Sequence, residues 1–104
     1  MGVRICLGQL KTYARGYLAR VSAGETLEIV RRGRLAAFIL PPSPSLEDVD
    51  RDAAAARGPD VYIPLSHLRR NAAPYFDRAA AGEIVGILRR GRLVARIVAA
   101  GSNR

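Results

Sequence analysis

Apolar residues change their spacing twice along the first part of the chain, and each change marks a predicted element. Over residues 3–7 they alternate with other residues, which predicts a short strand. They then recur at intervals of three and four, which predicts one amphipathic helix. The apolar face of that helix carries Leu10, Ala14, Tyr17, Leu18 and Val21.

The helix is followed by a predicted β-hairpin. Gly24 stands where a helix ends on a left-handed residue. Two β-prone runs come next, at residues 26–31 and 35–40, and Arg32 and Gly33 join them. A glycine at the second turn position is typical of a tight primed hairpin. The local pattern therefore predicts a strand–helix–hairpin unit.

The chain contains this unit twice. Residues 3–41 align without a gap to residues 61–99 at an offset of 58, and 18 of the 39 aligned pairs are identical. Self-similarity of this extent indicates two copies of one structural unit. We therefore divide the chain into a first repeat, residues 1–41, a connector, residues 42–60, and a second repeat, residues 61–104.

The second repeat follows the first with two notable differences. Pro74 replaces Gly16 within the helical pattern, and we expect it to kink the helix or to restart it after Ala73. In the last strand, positions 35, 37 and 39 are unchanged in the second copy, whereas Phe38 becomes Arg96. A period of two therefore predicts that the unchanged positions face the core and that Arg96 faces solvent or a partner.

Each repeat is a strand–helix–hairpin unit, so the predicted fold class is α+β. A unit of about 40 residues is too small to hold a core of its own without a metal or a disulfide. We therefore expect the two repeats to form an intramolecular pseudo-two-fold dimer, although the sequence leaves open whether copies pair within one chain or between chains. The residues expected to pair them are Leu10, Tyr17, Leu35, Ile39, Leu68, Tyr75, Leu93 and Ile97.

The connector has two parts. Pro41, Pro42 and Pro44 predict an extended start. Ser45 then stands as a helix N-cap with Asp48 as its reciprocal partner, and the alanine-rich stretch that follows predicts a helix to residue 57.

The charge of the chain follows the repeats. The formal net charge is +8, from 17 Lys+Arg and 9 Asp+Glu. The first repeat carries +5, the connector −3 and the second repeat +6. An arginine excess caused by coding bias would be spread over the whole chain. Its concentration in the repeats therefore favours a polyanionic partner, and nucleic acid is the first candidate.

Composition argues against several other classes of function. Cys6 is the only cysteine and His67 the only histidine, so neither an internal disulfide nor a zinc site nor a nucleophile–histidine pair is indicated. The sequence has no apolar run of about 18 residues and no secretory signal pattern. We expect a cytoplasmic protein that is not an enzyme, does not contact a membrane and holds no metal or cofactor.

Two groups of basic residues recur at equivalent positions of the copies. The first group is Lys11, Arg69 and Arg70, which are predicted to lie in the first turns of the helices. A cation there opposes the helix dipole. Contact with a phosphate or a guanine edge would explain why a cation stands at this position. The second group clusters at the hairpin tips, where like charges repel each other but can bind phosphates. It consists of Arg31, Arg32, Arg34, Arg89, Arg90 and Arg92. The alternative for both groups is a solvated surface.

Residues 21–39 have the pattern V-x-A-G-E-x-L-E-I-x-R-R-G-R-x-x-A-x-I, and L-x-x-L-K precedes it at residues 7–11. This combination resembles the Phd/YefM (prevent-host-death) antitoxin family of bacterial type II toxin–antitoxin systems. Both copies match, so the resemblance covers most of the chain. It implies an α+β DNA-binding domain that pairs two-fold and represses its own operon, with a basic residue at the position of Lys11 on the operator. It also implies a C-terminal tail that inhibits a toxin, often a ribonuclease.

The chain differs from the family pattern in two ways. Two copies are fused where family members carry one, and the only tail-like segment follows the first copy, at residues 46–57. The toxin-binding residues expected on it are Leu46, Glu47, Val49 and Asp50. The acidic charge of this segment fits a toxin's basic surface, or equally a helical spacer that is repelled from DNA.

Two functions remain open from the sequence. The first is an antitoxin that binds double-stranded operator DNA as an autorepressor and neutralises a cognate toxin. The second is a protein-interaction module that inhibits a toxin enzyme without binding DNA. The sequence does not specify the toxin family or the operator sequence. It also leaves open whether the chain associates further with itself.

Overall fold

The computed structural model describes residues 2–42 and 59–100, which contain six strands and four helices. The α+β class predicted from the sequence is confirmed. The first repeat forms β1 (Gly2–Cys6), α1 (Leu7–Thr12), α2 (Ala14–Ser22), β2 (Thr26–Arg31) and β3 (Arg34–Leu40). The second repeat forms β4 (Val61–Pro64), α3 (Leu65–Arg70), α4 (Ala72–Ala80), β5 (Val85–Arg89) and β6 (Arg92–Ala99). The connector helix predicted up to residue 57 lies outside the described residues.

All six strands form one sheet in the order β1-β2-β3-β6-β5-β4. The edge strands β1 and β4 run parallel to their neighbours β2 and β5, and the other three pairings are antiparallel. At the centre, Ile39 of β3 pairs with Ile97 of β6. These two residues are equivalent under the offset of 58, so the repeats meet at the same position of each copy.

The main core is built by both repeats together. Helix α2 contacts β2 of its own repeat and β6 of the other, and α4 contacts β5 and β6 of its own repeat and β3 of the other. Each long helix therefore lies across the boundary between the repeats. The largest cluster of buried residues accordingly contains side chains of both copies, among them Leu10, Leu18, Ile39, Leu68, Phe76 and Ile97.

Each predicted helix is in fact two helices. The first copy breaks at Tyr13 and the second at Asn71, which is the equivalent position. The restart at Ala72 comes before Pro74, so the expectation of a restart after Ala73 is wrong in position. Proline is not the cause, because the first copy breaks at the same place without one. Pro74 lies in the first turn of α4, where a missing N–H leaves no intrahelical bond unmade.

A β-bulge overturns part of the predicted core. Ile29 pairs with Ala37 but Val30 pairs with Leu35, so Ala36 is an extra residue that reverses the alternation. Leu35 consequently points away from the helix-covered face and is 37% exposed. The second copy has the same irregularity, with Leu88 opposite Leu93, which is only half-buried.

The other predicted pairing residues are in or against the core, since Leu10, Ile39, Leu68 and Ile97 are buried and Tyr17 and Tyr75 pack against them. Arg96 is the second correction. It was expected to face solvent or a partner, but it is 1% exposed, and its Nε donates a hydrogen bond of 2.8 Å to the carbonyl oxygen of Pro41.

The glycine helix ends are confirmed in both copies. Gly24 and Gly82 have φ angles of 108° and 105°. The Gly24 N–H donates to the Val21 carbonyl and the Glu25 N–H to the Arg20 carbonyl, which is the Schellman arrangement. The second copy repeats both bonds. The direction of the chain between helix and hairpin is thereby fixed in the same way in each repeat.

Replacing Ile39 or Ile97 by alanine is expected to lower the free energy of unfolding by about 2–4 kcal/mol, because each side chain is fully buried where β3 meets β6. Urea unfolding followed by circular dichroism should remain one transition at a lower midpoint, since both repeats share the core. Leu35→Ala is the matched control and should cost less than half as much. Two separate transitions, or an equal cost for Leu35→Ala, would contradict this view of the core.

Candidate nucleic-acid interface

The two hairpins have the tight turn that the sequence predicts. Arg32 and Gly33 have φ angles of 52° and 77°, and Arg90 and Gly91 have 55° and 77°. Positive φ at both central positions is the type I′ geometry that matches the twist of the flanking strands. Arginine adopts this region at a cost, because its Cβ crowds the backbone there. Both copies nevertheless carry arginine rather than asparagine at the first turn position.

The two groups of hairpin arginines are far apart from each other. Gly33 and Gly91 stand six residues before Ile39 and Ile97, the bulge shortens each path by about one residue, and β3 and β6 run in opposite directions. At about 3.3 Å per residue the tips are therefore on the order of 30 Å apart. The structure thus places Arg31, Arg32 and Arg34 at one end of the sheet and Arg89, Arg90 and Arg92 at the other.

Arg31 differs from its neighbours at the tip. Its Nη1 lies 3.0 Å from Oδ1 of Asp77 on α4, so it joins the first hairpin to the helix of the second repeat. The equivalent of Asp77 in the first copy is Ala19, and Arg89 has no ion pair within the described residues. Arg32, Arg34, Arg90 and Arg92 are exposed.

The helix-borne cations, in contrast, are brought together. Helices α1 and α3 contact each other, and Lys11 of α1 lines a cleft of about 340 Å³ with Ser66, Arg69 and Arg70 of α3. The three basic residues that the sequence singled out near the helices therefore share one surface. Two of them belong to one copy and the third to the other.

The dipole argument for these cations is wrong. Because the helices break at Tyr13 and Asn71, Lys11, Arg69 and Arg70 lie in last turns rather than first turns. A cation there complements the carbonyl end of a helix, so its position needs no ligand to explain it. What distinguishes these residues is their shared cleft.

The cleft continues on both sides. Arg69 also lines a cleft of about 370 Å³ with residues 12–16, and Arg70 also lines one of about 230 Å³ with His67 and Asn71. Because neighbouring clefts share these arginines, the three clefts lie side by side across the contact between α1 and α3 and together form one surface region. We call it the basic groove. Its polar and aromatic lining residues are Lys11, Thr12, Tyr13, Arg15, Ser66, His67, Arg69, Arg70 and Asn71.

Positive charges line the groove, whereas the described carboxylates lie elsewhere. Every carboxylate in residues 2–42 and 59–100 is engaged elsewhere, and the four cations of the groove form no ion pair within those residues. Within the described residues, the positive charge of the groove is therefore uncompensated. The engaged pairs are Glu25 with Arg20 (2.9 Å), Glu28 with Arg4 (2.9 Å), Asp77 with Arg31 (3.0 Å) and Glu83 with Arg78 (2.8 Å), and Asp60 accepts the N–H of Ile84 (2.8 Å).

Glu25 pairs with Arg20 and Glu83 with Arg78, so these glutamates form local salt bridges beside the glycine helix ends. Their partners are fixed by sequence separation, since a helix that closes on a left-handed glycine brings residues five apart together. Asp60 shows that one acid of the connector is held by the backbone of the second repeat rather than projecting from it.

Several lining residues were missed by sequence reasoning. Tyr13 is 64% exposed although it is aromatic, and Asn71 occupies the equivalent position of the other copy. Arg15 and His67 were not predicted as binding residues. The apolar spacing gave no signal of the helix break, because it continues across Tyr13 and Asn71 in both copies. The predicted toxin-binding residues Leu46, Glu47, Val49 and Asp50 lie outside the residues that the structure describes.

Comparison with known proteins adds no match: no family model, no curated protein and no solved structure is similar to this chain. No helix within the described ranges is long and apolar enough to cross a membrane. In the same ranges, no group of three His, Cys, Asp or Glu side chains is arranged to hold a metal ion.

Arg32→Asn is expected to raise the free energy of unfolding by about 0.5 kcal/mol, because asparagine tolerates the left-handed region and favours a type I′ turn before glycine. Chemical denaturation measures the change. Arg34→Asn removes the same charge from β3, where asparagine is disfavoured, and should bring no gain. Equal stabilisation by both variants would show that relief of charge repulsion, and not backbone strain, is responsible.

Proposed function

We propose that this chain is a DNA-binding antitoxin of the Phd/YefM type, whose two fused copies act as an intramolecular pseudo-two-fold dimer and repress their own operon. The observation that carries the proposal is the basic groove. Four cations without ion pairs within the described residues line it, both copies contribute, and the described carboxylates are bound elsewhere. The family motif in both copies supports the same interpretation.

The pseudo-two-fold arrangement is supported by the register of the central strands. Ile39 pairs with Ile97, and the flanking pairs Phe38 with Val98 and Leu40 with Arg96 exchange under the offset of 58. A local two-fold at this point matches the two-fold of a DNA duplex, which is how two-fold repressors bind two half-sites. One chain then supplies what two chains supply in a homodimer.

The groove suits the backbone of duplex DNA. Phosphates attract Lys and Arg independently of sequence, and counterions are released when they bind. The exposed arginines at the two hairpin tips are on the order of 30 Å apart. One turn of B-DNA has a similar length, about 34 Å. In the proposed complex these arginines contact phosphates on either side of the groove, while Lys11, Arg69 and Arg70 lie at its centre.

The toxin-neutralising part of the proposal is supported by the resemblance alone. It assigns toxin contact to Leu46, Glu47, Val49 and Asp50 of the connector. Because these residues lie outside both repeats, toxin binding and DNA binding should be separable by mutation. The predicted partner is a small enzyme encoded next to this chain, of the ribonuclease type found in such systems.

Lys11→Glu with Arg69→Glu is expected to abolish retardation of the chain's own promoter DNA, because two attractive charges at the centre of the groove become repulsive. The single variant Arg69→Glu should weaken binding at least tenfold. Arg4→Glu is its matched control: it changes the net charge equally, but Arg4 pairs with Glu28 on the sheet face away from the core helices. Circular dichroism should show all three variants folded.

If the folded double variant retarded promoter DNA as the wild-type chain does, the proposed interface would be wrong. Titration with salt gives an independent check. If the groove cations and the four exposed arginines of the hairpin tips each neutralise one phosphate, log Kobs should fall against log [salt] with a slope of about −6 to −7, and Arg15→Ala should reduce the size of that slope by about one. A slope near zero would leave the groove without an electrostatic role.

Co-expression with the product of the adjacent gene should yield a complex, and Leu46→Ser with Val49→Ser should dissociate it. The same variant should still retard promoter DNA, since Leu46 and Val49 lie outside both repeats in the sequence. Cell growth under induction of the adjacent gene reports neutralisation, and gel retardation reports DNA binding. The protein-interaction module would instead be favoured if the wild-type chain formed the complex but did not bind promoter DNA.

A further inference from the structure

The two ends of the basic groove carry different side chains on the same backbone. Helices α1 and α3 are both six residues long and end at equivalent positions. The Tyr13 N–H donates to the Gln9 carbonyl at 3.0 Å, and the Asn71 N–H to the His67 carbonyl at 2.8 Å. Among the lining residues, Lys11 and Arg69 are the one equivalent pair that is basic in both copies. The unlike pairs are Gln9 and His67, Thr12 and Arg70, Tyr13 and Asn71, and Arg15 and Ala73.

We propose that the basic groove binds a non-palindromic duplex DNA in one orientation, with the Arg70–Asn71 end reading bases and the Tyr13–Arg15 end holding the backbone. This inference rests on the proposed DNA-binding function. Its physical basis is that a duplex backbone is two-fold symmetric, whereas the groove is not. Turning the chain around on the same DNA therefore exchanges unlike contacts, and the two orientations differ in free energy.

The second-copy end has the chemistry for base readout. Arginine can donate two hydrogen bonds to O6 and N7 of guanine, and asparagine can bond N6 and N7 of adenine. Arg70 and Asn71 are adjacent, exposed and line the same cleft. Together they fit neighbouring purine edges in the major groove.

The first-copy end lacks that chemistry. Thr12 stands where Arg70 would be, and its Oγ1 already donates a hydrogen bond of 3.0 Å to the Gly8 carbonyl. Tyr13 offers a flat ring and one hydroxyl, and Arg15 lies in the first turn of α2 beside it. A lone arginine with an aromatic ring suits a phosphate and the adjoining sugar better than a chosen base pair.

Selection from a random duplex library with the full chain tests the prediction directly. The expected motif has one strongly specified half, containing adjacent purines, and one weakly specified half. An inverted repeat with two equally specified halves would overturn the inference while leaving the proposed DNA-binding function intact. Retention of no duplex at moderate salt would overturn both.

Exchanging the two ends gives a gain of function. Thr12→Arg with Tyr13→Asn places at the first-copy end the residues that the second copy carries on the same backbone. This variant should bind a palindrome of the specified half-site at least tenfold more tightly than the wild-type chain does. Its affinity for a scrambled duplex should rise much less, which separates base readout from the added charge. An equal gain on both duplexes would count against readout.

The reciprocal variant, Arg70→Thr with Asn71→Tyr, should still bind DNA through the remaining cations. It should lose at least tenfold of the wild-type preference for the selected site over the scrambled one. An undiminished preference would show that the second-copy end does not read the bases.

Orientation is measured with a single dye. Cys6 is the chain's only cysteine, it is exposed, and it ends β1, the edge strand about 12 Å from the boundary between β3 and β6. A donor on Cys6 should transfer energy unequally to acceptors placed on the left or the right end of the selected duplex. Equal transfer to both ends would mean that both orientations are occupied, and would overturn the inference.

Discussion

The antiparallel pairing of β3 with β6 is the interaction on which the other features of the molecule depend. Each repeat alone has about 40 residues, which is too few to bury a stable core without a metal or a disulfide. Pairing at Ile39 and Ile97 lets α2 cover β6 and α4 cover β3, so each repeat completes the core of the other. The contact between α1 and α3, and with it the basic groove, exists only because the two halves are joined in this register.

Charge is then distributed by local pairing. The glycine helix ends place Glu25 and Glu83 beside arginines, and the β1–β2 register places Glu28 beside Arg4. Exposed pairs of this kind stabilise the fold by little, about 0–1 kcal/mol each. Their larger effect is electrostatic: they engage the described carboxylates, so that no described carboxylate compensates the cations of the groove. A surface with that field attracts polyanions over a range of about 10 Å in moderate salt.

Much of the fold follows from local sequence patterns. The α+β class, the primed turn at Arg32 and Gly33 and the helix end at Gly24 each follow from neighbouring residues, and the structure confirms them. The bulge at Ala36 and the burial of Arg96 depend on how strands meet across the sheet, which periodicity cannot show. The same division holds for the site. Basic residues were visible in the sequence, but their meeting in one cleft depends on the contact of α1 with α3, and the neutral residues Tyr13 and Asn71 gave no charge signal.

In a homodimer one sequence must serve both the packing of the shared fold and the chemistry of the binding surface. With two copies in one chain, the surface residues of each copy can differ while the packing residues stay the same. The turn glycines and the central pair Ile39 and Ile97 are the same residue in both copies, because each environment is the same under the exchange of copies. Positions that face the groove are under no such packing constraint, since a solvent-exposed side chain can change in one copy without disturbing the other. The groove differs between copies at just these exposed positions, while the backbone beneath it stays equivalent. If the proposed DNA-binding function holds, a fused chain keeps the geometry of a two-fold surface and still presents two chemically different ends to the DNA.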